Sequence, residues 1–164
     1  FSRDAALSQA LCERALTLLE EGKEGWPSEE SERAYHRLLA LVIQVMAKGT
    51  EDAIDDSLAQ GIELRKRLDD RQPFLAASVC NTISYCHLTR RELERSGRAA
   101  EDAARFGQLA DTEEYIDVEL RASWTPHGED LSVHLEAWAD MVCAFAGLPP
   151  VPDGVTPLPR IRRN

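Results

Sequence analysis

Asp130 and His134 are the two residues of this chain whose types and spacing come nearest to acid–base chemistry. On a helix, positions four apart share a face, so the carboxylate could orient the imidazole as a general base. No nucleophile is identifiable beside them, and two surface side chains are the stronger reading. On a strand the two would sit further apart and the dyad would weaken. The other histidines offer less. His36 follows Glu32 by one helical turn and reads as a surface ion pair. His87 lies seven residues after Cys80, on one helical face but about 10 Å along the axis, too far to share a metal.

Cysteine and acid patterns are equally sparing. Cys12, Cys80, Cys86 and Cys143 match no zinc spacing, and six residues between Cys80 and Cys86 suit a helical disulfide poorly. Buried, reduced thiols are expected, which favours a cytoplasmic setting. Asp52, Asp55 and Asp56, with Asp69 and Asp70, could hold magnesium for diphosphate chemistry, but no matching second motif occurs and a solvated helix face explains them. A glycine-rich phosphate loop, a nucleophile elbow, a dinucleotide fingerprint and an HExxH motif are all missing from the sequence. The expectation is a protein without catalytic, cofactor or metal sites. One polar stripe stands out instead: Ser78, Asn81 (or Thr82), Tyr85 and Thr89 follow helical spacing in an otherwise apolar segment. Amides and hydroxyls so arranged could hydrogen-bond a peptide.

The elements that must position these residues are mostly helical. A first helix runs from about Asp4 to Glu21, with Leu7, Leu11, Leu18 and Leu19 on one broad face, stopped by Gly22 and Gly25. A second opens after Trp26-Pro27, with Ser28 as N-cap and Glu29, Glu30 and Glu32 in its first turns, where acids complement the helix dipole. It carries Leu38, Leu39, Leu41, Val42, Ile43, Val45 and Met46. Being apolar nearly all round, it is expected to be the most buried element. Gly49 is its C-cap candidate. Thr50 caps a third helix reaching about Asp70, with Ile54, Leu58, Ile62 and Leu68 inward. Pro73 starts a fourth, with Phe74, Leu75, Ala77, Cys80, Ile83, Ser84 and His87 on one face. The fifth, roughly Glu92 to Ala110, is rich in alanine. Short connections make neighbouring helices antiparallel hairpins.

Beyond residue 111 the pattern changes. Ile116, Val118, Leu120, Ala122 and Trp124 alternate with Asp117, Glu119, Arg121 and Ser123, a strand period. Val133, Leu135, Ala137 and Ala139 alternate after the turn-rich Thr125-Pro126-His127-Gly128. A β-hairpin over 114–139 competes with two further helices within 114–146, since Leu131, Leu135, Trp138 and Val142 also fit a helix. Trp124 and Trp138 are expected in a core. A helical domain over residues 1–147 is then followed by a tail, 148–164, whose five prolines make it extended and whose end carries Arg160, Arg162 and Arg163.

Composition bounds the partners. The 164 residues carry 19 Lys+Arg against 29 Asp+Glu, a formal charge of −10. That length buries a core without disulfides. The acidity argues against binding DNA or an anionic membrane, because phosphate neutralisation supplies most nucleic-acid affinity; it permits a basic partner. The longest apolar stretch, Leu38 to Ala47, is interrupted by Gln44 and is far short of the about 20 residues a spanning helix needs. A first residue that is Phe1 and not Met suggests a processed product or an excised domain, and no signal peptide is visible.

The helical segments can be laid on one another: Leu64–Phe74 on Arg105–Tyr115 aligns Leu68 with Leu109, Asp70 with Asp111 and Phe74 with Tyr115. The stretch Ile83–Ala103 resembles a tetratricopeptide unit, with Ser84, Ser96 and Ala103 at that family's small-residue positions. The preceding stretch, Leu41–Gly61, follows less closely: Gly49 is at its turn and Gly61 at its last small position, while Val42 and Ile54 replace small residues. The resemblance spans about residues 30–111 and implies a right-handed superhelix of antiparallel helical hairpins. The phrasing Phe74-Leu-Ala-Ala-Ser-Val-Cys-Asn-Thr-Ile-Ser-Tyr is similar to the repeat arms of MalT-like, LuxR-type bacterial transcriptional regulators, which implies effector sensing or partner docking. The reading is therefore a non-enzymatic, cytoplasmic helical-repeat module for a protein, peptide or effector, with Ser78, Asn81, Tyr85 and Thr89 as candidate contacts. The alternative is a small acidic inhibitor or immunity-type protein that neutralises a basic toxin.

Overall fold

Thr50 shows how local chemistry sets the elements. Its backbone is extended, and its hydroxyl oxygen accepts the Ala53 N–H at 3.2 Å, starting a helix whose first turn is acidic and last turn basic. Helices of this kind make up the computed structural model, which describes residues 3–22, 29–68, 72–111 and 131–148. Among the described residues the helices are α1 (Arg3–Gly22), α2 (Glu29–Met46), α3 (Glu51–Arg67), α4 (Pro73–Thr89), α5 (Leu93–Asp111) and α6 (Leu131–Ala146). They pack mainly on their sequence neighbours: α1 on α2, α2 on α3, α3 on α4, α4 on α5 and α5 on α6, with α2 also touching α4. The helical class expected from periodicity is thus present, with boundaries close to those read from the sequence.

Of the two alternatives for the second arm of 114–139, the helix is the one present. Val133–Ala139 lies inside α6, where Leu135, Ala139 and Val142 share one buried side. The i, i+4, i+7 pattern prevailed over the alternation because packing on α5 buries that side. The first arm, together with Trp124, Ser28 and the tail beyond Leu148, lies outside the described residues.

α4, not α2, is the most buried element. Every residue from Pro73 to Cys80 is buried, as are Ile83, Ser84, Cys86 and His87. α2 buries Tyr35, Leu39, Ile43 and Met46 but leaves Leu38, Leu41 and Val45 exposed. An all-round apolar sequence permits burial on every side; neighbours are needed to supply it. His36, expected at the surface beside Glu32, is likewise buried, next to the Tyr35 ring. Gly49 is not a left-handed cap. A Cβ there would meet the Met46 carbonyl at 3.1 Å and the Ala53 Cβ at 3.2 Å, so the turn needs its smallness.

Small side chains hold the array together at α5. The Ser84 and Ser96 hydroxyls lie 3.1 Å apart, and Ser96 Oγ donates to the Ser84 carbonyl at 2.7 Å. Trp138 of α6 donates its indole N–H to Ser84 Oγ at 3.0 Å, so three helices meet on one buried hydroxyl. On the side facing α6, a Cβ at Gly107 would come within 3.2 Å of the Ser132 Cα, and one at Gly97 within 2.7 Å of the Leu148 side chain. A comparable contact joins α3 to α2, where the buried Ser57 hydroxyl donates to the Ile43 carbonyl at 2.8 Å.

The turn between α4 and α5 is closed by backbone and charge together. Glu92 N–H donates to the His87 carbonyl and Arg91 N–H to the Leu88 carbonyl, both at 2.9 Å, a Schellman-type ending. Arg91 takes the left-handed position, φ 61°, which glycine normally fills. His87 Nδ1 lies 2.6 Å from the Glu92 carboxylate. Arg90 contacts Glu92 and also Asp55, tying α3 to this turn. The His87 hydrogen bond, joined by the charge of Arg90, holds the Glu92 carboxyl below its ordinary value.

These contacts predict measurable stabilities. Ser96→Ala should lower unfolding free energy by about 1 kcal/mol through lost hydrogen bonds. Ser96→Val should cost about 2–3 kcal/mol, because it also forces α4 and α5 apart; urea denaturation reads both. Arg91→Gly should stabilise by about 0.5–1 kcal/mol in the same assay, by relieving the left-handed backbone. For Glu92, a depressed folded-state value means that its contribution is complete above the ordinary carboxylate range and is lost as pH falls through the depressed value. The urea midpoint should therefore drop more steeply between about pH 5 and pH 3 in the native chain than in Glu92→Gln.

Candidate functional site

α1 packs chiefly on α2 and therefore has one apolar edge to bury. Cys12 and Leu19 occupy that edge. Leu7, Leu11 and Leu18, expected on the same face as Leu19, lie exposed instead, Leu11 at 61%. Where the second half of α1 leans on α2, the two helices and Gln60 of α3 enclose an open groove of about 610 Å³. Leu16, Leu19, Tyr35 and Leu39 line it with apolar surface, and Thr17, Glu20, Glu21 and Gln60 with polar surface. Sequence reading missed it, because the groove combines two helices whose leucines looked like ordinary core. The adjacent acids Glu20 and Glu21 were the available signal.

The chemistry of that groove is specific in kind. Carboxylates beside an apolar wall favour a cation carried on an aliphatic stem. Lysine and arginine lay such stems along leucines while their charged heads reach outward. A groove formed by two helices also suits an amphipathic segment that inserts apolar side chains at helical spacing.

The polar stripe on α4 is only partly available. Ser78 is 6% exposed, while Asn81 is half-buried and Tyr85 is 38% exposed. Thr89 is exposed, and its hydroxyl donates to the Tyr85 carbonyl at 3.0 Å. Thr82, the alternative member, is buried and donates to the Ser78 carbonyl at 3.1 Å. Two of the threonine hydroxyls are thus turned back onto their own helix, a common helical habit. Asn81 and Tyr85 are the members that present side chains outward.

The titratable groups serve the fold. His87 and Glu92 cap the α4–α5 turn. His134 is exposed on α6, and Asp130 lies outside the described residues. All four cysteines are buried and unpaired, as expected. Burial pushes the Cys80 thiol up to about 11 and raises Cys12, Cys86 and Cys143, so these thiols resist forming the reactive thiolate. Among the described residues, no group of three or more His, Cys, Asp or Glu is placed to hold a metal ion, and no helix is long and apolar enough to cross a membrane.

No match was found among curated proteins or among solved structures. The chain is similar over residues 89–156, from the end of α4 through α5 and α6, to a family model described as a protein of unknown function (DUF3000).

Proposed function

We propose that this chain is a non-enzymatic helical-repeat module of the cytoplasm that holds a basic, amphipathic segment of a protein partner in the α1–α2 groove. The observation that carries the reading is the groove itself, with leucine and tyrosine walls and Glu20 and Glu21 on its lining. The chain's charge of −10 adds a long-range attraction for such a segment. Neighbour-on-neighbour packing from α2 to α5 supports the tetratricopeptide-like reading, since repeat arrays are built from such contacts. The buried Ser84–Ser96 pair supports it further. A module of this kind suits the regulatory arm of a MalT-like, LuxR-type bacterial regulator, which recognises an effector or partner without chemistry of its own. Asn81 and Tyr85 of α4 offer an additional hydrogen-bonding surface.

The acidic lining of the groove equally favours a second reading, an inhibitor or immunity-type protein that neutralises a basic toxin. Salt separates the two. An inhibitor steered by its field should lose association rate steeply as salt rises, whereas a docking arm that relies on the leucine walls should lose much less.

A fluorescent helical peptide with leucines on one face and lysines on the other provides the probe, with its glutamate counterpart as control. The lysine peptide should bind and the glutamate peptide should not. The double change Glu20→Lys with Glu21→Lys should weaken binding by about tenfold or more. The double change Glu94→Lys with Asp102→Lys alters net charge equally on α5, which contributes nothing to the groove lining, and should leave affinity within about twofold. Equal losses from both pairs would reduce the effect to net charge and remove the groove from the proposal.

A further inference from the structure

We infer, on the reading that the α1–α2 groove takes a basic segment, that residues 158–163 of the chain itself compete with the partner for it. The match is one of chemistry. Leu158, Arg160, Ile161, Arg162 and Arg163 put two aliphatic side chains and three guanidiniums, with no acid, into six residues of a chain whose charge is −10. The groove offers the complement, leucine and tyrosine walls beside Glu20 and Glu21. Arginine binds a carboxylate through two parallel N–H bonds while its aliphatic stem lies along apolar surface. Residues 158–163 lie outside the described residues, but Leu148, the point from which they are tethered, lies within them.

Leu148 is a fixed anchor. Gly147 ends α6 in the left-handed region, φ 67°, and the Leu148 N–H donates to the Cys143 carbonyl at 3.0 Å. The Leu148 side chain sits against Gly97 of α5, where a Cβ would come within 2.7 Å of it. A line of packing leads from there to the groove at one level of the array. Gly97 adjoins Ser96, which meets Ser84 of α4. Ser84 adjoins Ile83, which packs on Gly61 of α3. Gly61 adjoins Gln60, which lines the groove. Each step is one helix spacing of about 8–10 Å, which puts Leu148 about 25–30 Å from the groove. Residues 149–159 carry five prolines. A proline-rich spacer of this length rises about 3.1 Å per residue and spans about 34 Å. It is long enough to deliver Arg160 to Glu20 and Glu21 and short enough to keep it there. A linker whose length matches its span gives the highest effective concentration, about millimolar.

The fluorescent lysine-faced peptide is the probe, and the full chain is its target. At about millimolar effective concentration, a segment with an intrinsic dissociation constant of about 0.2 mM weakens peptide binding about fivefold. The triple change Arg160→Gln, Arg162→Gln and Arg163→Gln should therefore tighten peptide binding by about fivefold. The triple change Arg95→Gln, Arg98→Gln and Arg105→Gln removes the same charge from α5 and should alter affinity by less than about twofold. Trypsin supplies a readout that needs no peptide. Cleavage after Arg160 should be about fivefold slower in the native chain than in the Glu20→Gln, Glu21→Gln variant, at every protein concentration. Equal peptide affinity for the native chain and the Arg160, Arg162 and Arg163 variant would overturn the inference and leave the groove as a docking site. So would equal gains from the two triple variants. A peptide that binds neither the native chain nor that variant would remove the groove reading, and self-closure with it. Cleavage equally fast in the native chain and the Glu20, Glu21 variant, or slowed only as concentration rises, would overturn closure of the groove by the chain's own segment.

Discussion

Close approach of helix backbones at α5 is the constraint from which the second half of the molecule follows. On one side Ser96 reaches the Ser84 carbonyl; on the other, Gly97 and Gly107 leave room for Leu148, Leu135 and the backbone of α6. Neither contact tolerates a branched side chain. Interiors pack at crystal-like density, so one extra methyl between two helices is felt along both. Serine serves here where alanine might, because its hydroxyl also satisfies a buried partner. Ser84 Oγ accepts the Trp138 indole N–H, so the α4–α5 contact and the placement of α6 are set by one atom.

That arrangement makes α4 the centre and leaves the outer helices one-sided. α4 touches α2, α3 and α5 and is buried nearly throughout; among the described residues α1 and α6 each lean on one main neighbour. Among the described residues, the consequence is exposed apolar surface on both α1 and α6. At α1 it is bordered by Glu20 and Glu21. At α6 it is the exposed row of Val133, Met141 and Phe145.

Much of the core was legible because a 3.6-residue period reports the buried side of a helix directly. Phe74, Leu75, Ala77, Cys80, Ile83, Ser84 and His87 form the buried side of α4 as read, and Thr50 caps α3 as read. The errors share one cause. Leu7, Leu11 and Leu18 of α1 and Leu38, Leu41 and Val45 of α2 have the spacing of a core, yet no helix lies over them among the described residues. Periodicity states where an apolar face is, not how many faces a neighbour covers. Val133–Ala139 satisfied two periods at once, and packing against α5 chose between them. Of the candidate site, the stripe on α4 was visible as spacing, while the α1–α2 groove was not, because a cleft is a relation between helices.

The sequence by itself determined the class of the protein: helices with their caps, small residues at the tight contacts, an acidic coat and thiols destined for burial. These follow from local propensity, spacing and composition, which need no knowledge of neighbours. Only the tertiary structure decided which apolar faces became core and which became surface. It also placed Arg91 in a left-handed turn and turned Thr82 and Thr89 back onto their own helix. The net charge of −10 acquires meaning at the same level, because a carboxylate is a coat or a contact according to the surface beside it.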